Sequence, residues 1–249
     1  MLGLILSPRQ VGRARGTPTY AGWTPMTPGN LTAWYDANVG ITQSAGLVSQ
    51  WNDQSGNGYN LTASGSNRPT CQGTGWNSSK PTLSFDGTST FMQTISGLGS
   101  LVNGSNTNFS VLATVKATSN TNYKIISGWD ANDGTTRYVT GCSNAHQMFM
   151  TDSTNSPVGS ATMDGLNAVV AYLIGGGTAS TYINGSLDMN GVTFGQNASG
   201  ATRFLLGLHP LGAFVWLGVM SEVLVYASKL TSTDVANYRA YAQTKWTGL

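Results

Sequence analysis

Glutamate is almost absent from this chain: Glu222 is the only one among ten acidic residues in 249. Glycoside hydrolysis needs two carboxyl groups, one to protonate the leaving oxygen and one to attack or to activate water. One glutamate and nine scattered aspartates exclude that arrangement in its usual form. Charge of both signs is scarce, at 9% of residues against about 25% in an ordinary soluble protein. A nucleic-acid-binding domain carries a dense basic face, and this chain has no such density. Cys71 and Cys142 are the only cysteines. Without a CxxC they cannot build a structural zinc site by themselves; two free thiols or one disulfide both stay open. His146 and His209 stand apart from each other and from other metal ligands, and no G-x-S-x-G elbow accompanies them. Both read as ordinary structural or surface residues. Phosphate-cradling and dinucleotide fingerprints are missing. No apolar run approaches the roughly 20 residues of a membrane span. The opening Met1-Leu2-Gly3-Leu4-Ile5-Leu6 is shorter than the ~7–15 residues of a signal-peptide apolar region. The expectation is no membrane, no nucleic acid and no secretion signal.

Glycine is abundant instead, at 32 residues, about twice its usual share of ~7%, and Ser, Thr and Asn fill much of the remainder. Hydroxyls and amides must therefore supply solubility. The length suits one large β domain, since sandwiches often run to about 200–250 residues and bury most of their apolar surface. Residues 1–29 differ from the rest. Pro8, Pro18, Pro25 and Pro28 break any periodicity, and Arg9, Arg13 and Arg15 stand there without an acid. One domain is expected, a sandwich over 30–249, preceded by an extended arm over 1–29. The arm reads either as a solvated tail or as an anchor that docks on a partner through Arg9, Arg13, Arg15, Tyr20 and Trp23; the anchor is the reading adopted.

From Asn30 onward the chain alternates short apolar segments with turn chemistry. Phe109, Val111, Ala113 and Val115 recur at period two, as in a half-buried strand. Residues 168–174 are nearly all apolar and predict a strand covered on both faces. Asn184-Gly185 and Asp133-Gly134 are hairpin signals. Val215 to Tyr226 predicts a long central strand with Glu222 on the same face as Trp216, Met220 and Leu224. Thr231 and Asp234 resemble a capping box, and Val235, Tyr238, Ala242 and Trp246 follow at helical spacing. The pattern is all-β, an antiparallel two-sheet sandwich with one C-terminal helix.

Several segments resemble the laminin-G-like group of the concanavalin A-like lectin/glucanase sandwiches. They are Asn30-Leu31-Thr32-Ala33-Trp34-Tyr35-Asp36, the loop Trp51-Asn52-Asp53-Gln54-Ser55-Gly56-Asn57-Gly58, the turn Phe85-Asp86-Gly87, the hairpin Tyr182-Ile183-Asn184-Gly185, and the closing strand Gly218 to Tyr226. They stand in the family's order and cover about residues 30–249. The resemblance implies a jelly roll and a binding role toward glycans or proteins, sometimes with calcium. The W-N-D-Q-S-G-N-G form of the loop resembles phage virion proteins and bacterial surface proteins. Laminarinase-type relatives carry E-x-D-x-x-E on a strand, whereas Ser221 precedes Glu222 here and Leu224 follows it, so no enzyme is expected.

Calcium takes six to eight oxygens from carboxylates, amides and carbonyls, and Asp53, Asn57 and Asp86 are the candidate ligands. The competing reading is that Asp53 and Asn57 only make Asx turns. Asp130, Asn132 and Asp133 form a second oxygen-rich loop that the hairpin explains more simply. No other cofactor is expected. Trp76 with Asn77, and Trp129 with Asp130, are the candidate glycan contacts; each tryptophan could instead plug the core. The function expected is a non-enzymatic phage virion component, on capsid or tail and assembled in the host cytoplasm. Its arm would bind other virion proteins, subunits would associate into a homo-oligomer, and its sandwich would hold host glycan. The alternative is a carbohydrate-binding module of a bacterial surface or secreted protein.

Overall fold

A computed structural model describes residues 22–73, 80–94, 97–104, 107–118, 122–131, 137–152, 154–195, 200–246 and 248–249. The strands run β1 (Leu31–Asp36), β2 (Ile41–Ser44), β3 (Leu47–Trp51), β4 (Leu61–Thr62), β5 (Thr70–Gln72), β6 (Thr82–Asp86), β7 (Met92–Thr94), β8 (Phe109–Ala117) and β9 (Lys124–Asp130). They continue as β10 (Arg137–Cys142), β11 (Gln147–Thr151), β12 (Val158–Thr162), β13 (Asn167–Gly175), β14 (Thr178–Ile183), β15 (Ser186–Thr193), β16 (Arg203–Leu206) and β17 (Leu217–Tyr226). One helix, α1 (Ser232–Lys245), closes the chain.

Two antiparallel layers result. The front sheet runs β17–β8–β13–β14–β15, with β6 and β1 side by side along the other edge of β17. The back sheet runs β4–β7–β16–β9–β10–β11–β12. Short pairings of β3 with β4 and β5 join the layers along one margin. At the opposite margin Asp188 of β15 accepts the backbone N–H groups of Ser160 and Ala161 of β12 at 2.9 and 2.8 Å. A Cβ on Gly159 would fall 1.7 Å from the Asp188 carboxylate, so glycine is required for this closure. The two-sheet sandwich with a C-terminal helix expected from the pattern is the fold observed, in keeping with the jelly roll that the family resemblance implies.

An aromatic chain fills the interior. Trp51, Tyr35, Phe204, Trp129, Phe109, Tyr138 and Phe194 follow one another with centroids 4.7 to 6.5 Å apart, the geometry in which rings gain beyond simple area burial. β13 is buried on both faces, as its continuous apolar run predicts. The Asn184-Gly185 turn adopts the two positive φ values of a type I′ hairpin, 48° and 78°.

Helix α1 begins as the sequence says. Thr231 and Asp234 make a reciprocal capping box, and Val235, Tyr238, Ala242 and Trp246 are buried. The helix lies on the outer face of the front sheet, where the Tyr238 hydroxyl meets Thr114 of β8 at 2.9 Å. That cover corrects the half-buried reading of β8: eight of its nine residues are buried, because α1 seals the face that alternation assigned to solvent.

The arm boundary also moves. Trp23 is 6% exposed, its ring lies 6.0 and 5.5 Å from Tyr238 and Tyr241, and Tyr226 donates its hydroxyl to Pro25 O at 2.8 Å. Trp23 is therefore not an arm residue free for a partner. An indole this size gains more by covering the bare side of α1 than by remaining in water. Arg9, Arg13, Arg15 and Tyr20 lie outside the described residues, as do the Asp133-Gly134 turn and Asn132.

Candidate functional site

The position that the family resemblance singles out is a buried ion pair. A bulge in β17 lies between Met220, opposite Val115, and Glu222, opposite Thr114. Val115 and Thr114 are consecutive and face opposite ways, so the bulge separates Glu222 from Met220. This corrects the simple alternation read from sequence: Met220 points inward and Glu222 points toward α1. Glu222 is fully buried. Its Oε1 accepts from Lys245 Nζ at 2.6 Å and Trp34 Nε1 at 2.9 Å, from side chains rather than a loop backbone. The same ammonium reaches Asp36 Oδ2 at 2.6 Å and sits over the rings of Trp34, Tyr241 and Trp246. Burial pushes Glu222 above the usual carboxylate range and Lys245 pulls it partly back. Burial alone would lower Lys245, but Glu222 and Asp36 outweigh it and raise it.

The other carboxylates among the described residues are equally engaged. Asp53 Oδ1 accepts from the N–H groups of Trp34 and Ser55 at 2.9 and 2.8 Å, and Oδ2 from Ser55 Oγ and Tyr59 N–H at 2.8 and 3.1 Å. Asn57 turns its amide nitrogen inward, donating to the carbonyls of Leu31 and Thr32. The W-N-D-Q-S-G-N-G loop thus supplies the hydrogen-bonding neighbour that the free edge of β1 lacks, which is how edge strands are protected. Asp86 caps its own turn: burial would raise it, but the N–H groups of Ser89, Thr90 and Thr88 outweigh that and hold it below the usual carboxylate range. Asp53 and Asp86 spend their carboxylate oxygens on these donors and Asn57 its amide nitrogen on the two carbonyls, and no group of three or more His, Cys, Asp or Glu that could hold a metal stands among the described residues. Asp152 accepts from the turn at Thr154 and Asn155, and Asp164 pairs with Lys124 and His146.

The expected glycan contacts fare differently. Trp76 and Asn77 lie outside the described residues. Trp129 is corrected: it sits in β9 opposite Tyr138 and Phe204 and is 0% exposed, because strand alternation points it into the aromatic core. Asp130 faces the other way but is fully buried, with Arg203 Nη2 on its Oδ2 at 2.9 Å. Both cysteines are free thiols, and burial pushes Cys142 up to about 12.

The outer face of the back sheet carries what the sequence reading missed. Residues 207–216 fold back over it as a ridge. Leu208 bridges Val215, both pack on Leu205, and Pro210 comes so close to Gly128 that a Cβ there would lie 2.9 Å from its ring. Beside this ridge opens a cavity of about 120 Å³ lined by Tyr123, Ile125, Phe149, Thr151, Ser156, His209 and Phe214. Tyr123 lies 5.0 Å from Phe149 and 5.3 Å from Phe214, and His209 lies 5.6 Å from Phe214, all edge to face. The rings of Tyr123, Phe149, Phe214 and His209 form the walls with Ile125, and the Ser156 hydroxyl donates to that of Thr151 at 2.9 Å. Phe214 is 40% exposed with φ at 58°, a left-handed conformation that a bulky residue adopts at a cost of about 1–3 kcal/mol. Such strain persists where the surrounding structure holds the residue in place. No Asp, Glu, Lys or Arg is among the lining residues. His209, read from sequence as unremarkable, is a wall of this cavity. The signal that could have found it is Leu208 to Phe214, an apolar stretch at a position where the chain must turn.

Three comparisons bear on the chain. The family described as the concanavalin A-like lectin/glucanases superfamily matches residues 86–236, more than half of the sequence. Domain 4 of AbnA, a GH43 extracellular arabinanase from Geobacillus stearothermophilus solved in complex with arabinotriose, superposes with a TM-score of 0.60 at 17% identity, covering 84% of this chain and 97% of that one. Trypanosoma rangeli sialidase in complex with sialic acid gives 0.62 at 13% identity over 88% of this chain but only 34% of its own. Both likenesses are of fold. No curated protein matches the sequence.

Proposed function

The chain belongs to the concanavalin A-like lectin/glucanase superfamily, and on that premise we propose that it is a non-enzymatic glycan-binding sandwich displayed on a phage virion. The observation that carries the binding reading is Phe214, held exposed at φ 58° against Tyr123 in the lining of an aromatic cavity. Aromatic walls offer faces for the C–H surfaces of a sugar, and hydroxyls at one side fix its orientation, the usual division of labour in small-ligand sites. A domain of this architecture is solved with arabinotriose, in keeping with that reading. Catalysis is not proposed, because no carboxylate lines the cavity and Glu222 and Asp36 both pair with the half-buried Lys245. Nor is a resident metal, since the oxygens of Asp53 and Asp86 are already engaged. A glycan array read with the wild type and with Phe214→Ala tests the site. The wild type retains a restricted set of glycans, and the variant loses at least about tenfold in affinity, the equivalent of ~1.4 kcal/mol, with an unchanged melting temperature. Equal retention by both proteins would remove the cavity from the account.

Attachment is assigned to the segment before Trp23, where Arg9, Arg13 and Arg15 stand without an acid. The virion assignment is supported by the form of the W-N-D-Q-S-G-N-G loop and the low charge. Deleting residues 1–21 leaves the sandwich folded and abolishes incorporation into particles. Deleting 1–29 is not an equivalent experiment, because it also strips Trp23 from α1. Normal incorporation of the 1–21 deletion would refute the anchoring role.

A further inference from the structure

We propose that the same outer face carries a second glycan subsite, at Phe91, Asn67 and Gln93, and that the protein reads an extended neutral oligosaccharide rather than a terminal sugar. The inference rests on the glycan reading above. Gln93 of β7 lies opposite Leu205 of β16 and Thr62 of β4. Leu205 packs with Leu208 and Val215 in a cluster separate from the interior core, so Gln93 faces outward with it. Phe91, two residues earlier, shares that face and packs on the same cluster. Phe91 and Gln93 line a second cavity of about 110 Å³ together with Asn67. The side-chain amides of Asn67 and Gln93 make no hydrogen bond among the described residues, so each offers donors and an acceptor beside an aromatic ring. That is the pairing a sugar hydroxyl and its neighbouring C–H face require.

The two cavities lie on either side of the ridge of residues 207–216, whose crest exposes Leu211 and Phe214 at 55% and 40%. In strand order the second cavity sits on β4 and β7, and the first spans β9 to β11. Three to four strand spacings separate them, about 14–19 Å, the reach of a short oligosaccharide and too far for one sugar. The apolar crest between them gives the intervening units a surface to lie on. No Asp, Glu, Lys or Arg lines either cavity; Arg203 is committed to Asp130 and to Pro210 O, and Arg68, next to Asn67, donates its Nε to Gly65 O. Apart from the His209 imidazole, neither cavity offers a cationic group to an acidic sugar, and each suits a neutral one.

The experiment is a calorimetric titration of the full chain with length series of four neutral glycans, arabinan, xylan, cellulose and mannan, each from disaccharide to octasaccharide. Affinity for the bound series is expected to rise at least about tenfold between the disaccharide and the pentasaccharide. Phe91→Ala combined with Gln93→Ala flattens that rise and leaves disaccharide affinity unchanged, whereas Phe214→Ala weakens every length. Gln93→Ala alone, which removes no packing ring, halves the rise at least and guards against a folding defect in the double variant. Length dependence that survives both variants, or a wild type that binds disaccharide and octasaccharide equally, overturns the second subsite and leaves the first standing. Failure of the wild type to bind any series overturns the glycan reading itself.

Discussion

Replacing Lys245 by methionine lowers the unfolding free energy by about 3–5 kcal/mol, the cost of leaving a buried ion pair with one partner removed. The ammonium lies 2.6 Å from Glu222 and 2.6 Å from Asp36, with 13% of its side chain exposed. Glu222 Oε2 already lacks a partner, so the loss of Lys245 strands a carboxylate left only with Trp34 Nε1 at 2.9 Å and the Tyr241 hydroxyl at 3.4 Å, both on Oε1. Methionine keeps the stem that fills the space between Trp34, Tyr241 and Trp246, so the loss reports charge rather than volume. Adding Glu222→Gln to Lys245→Met recovers part of the stability, because a neutral amide is less costly to bury than a carboxylate. Urea unfolding of the two single variants and the double variant closes the cycle. A loss below about 1 kcal/mol for Lys245→Met would mean that water reaches the pair and that α1 is not sealed on the sheet.

Raising the pH above about 10 unfolds the protein over a narrow interval. Burial raises Tyr35, Tyr138, Tyr172, Tyr226, Tyr238 and Tyr241 above their ordinary 10.0, Tyr241 to about 12. Lys245 is raised above its ordinary 10.5 by Glu222 and Asp36 against the opposing effect of burial. In each case the unfolded chain releases its proton first, so between the unfolded and folded values the native state binds more protons and stability falls as pH rises. The contribution is fully present below pH 10 and is lost through the folded values. Each group contributes at most about 1.4 kcal/mol per pH unit, and seven together exhaust a stability of about 5–15 kcal/mol within one to two units. Far-ultraviolet circular dichroism against pH, read alongside the 295 nm absorbance of tyrosinate, checks this. Ionisation of these six tyrosines should coincide with loss of sheet. Ionisation of these six residues well before unfolding would show that the core is wet.

How legible the molecule was in its sequence depended on how local the determining physics is. Capping by Thr231 and Asp234, the Asn184-Gly185 turn and the buried run of β13 are set by a few adjacent residues, and all three were readable. The faces of β17 were misassigned because the bulge at Ser221 is fixed by pairing with β8 and β1, neither of which is near in sequence. Trp129 read as a glycan contact at a strand end because Asp130 follows it; the partner that buries Asp130 is Arg203, 73 residues later. Trp23 read as part of an arm because the aromatic surface that receives it, Tyr238 and Tyr241, lies at the other end of the chain. The cavity was invisible for the same reason. Tyr123, Phe149 and Phe214 come from three separate segments, and only the fold-back of residues 207–216 over Gly128 makes them one wall. Trp76 and Asn77, outside the described residues, keep only their sequence-level reading as glycan contacts.

The claim on which the rest depends is that ligand enters the outer-face cavity rather than the loops at the end of the sandwich. Amide chemical shifts of the isotopically labelled chain, followed during titration with the glycan it selects, report this directly. The largest shifts are expected at Ile125, Phe149, Thr151, His209 and Phe214, with residues 53–59 and 86–90 unmoved. Shifts confined to those two loops, with the cavity silent, would contradict the account.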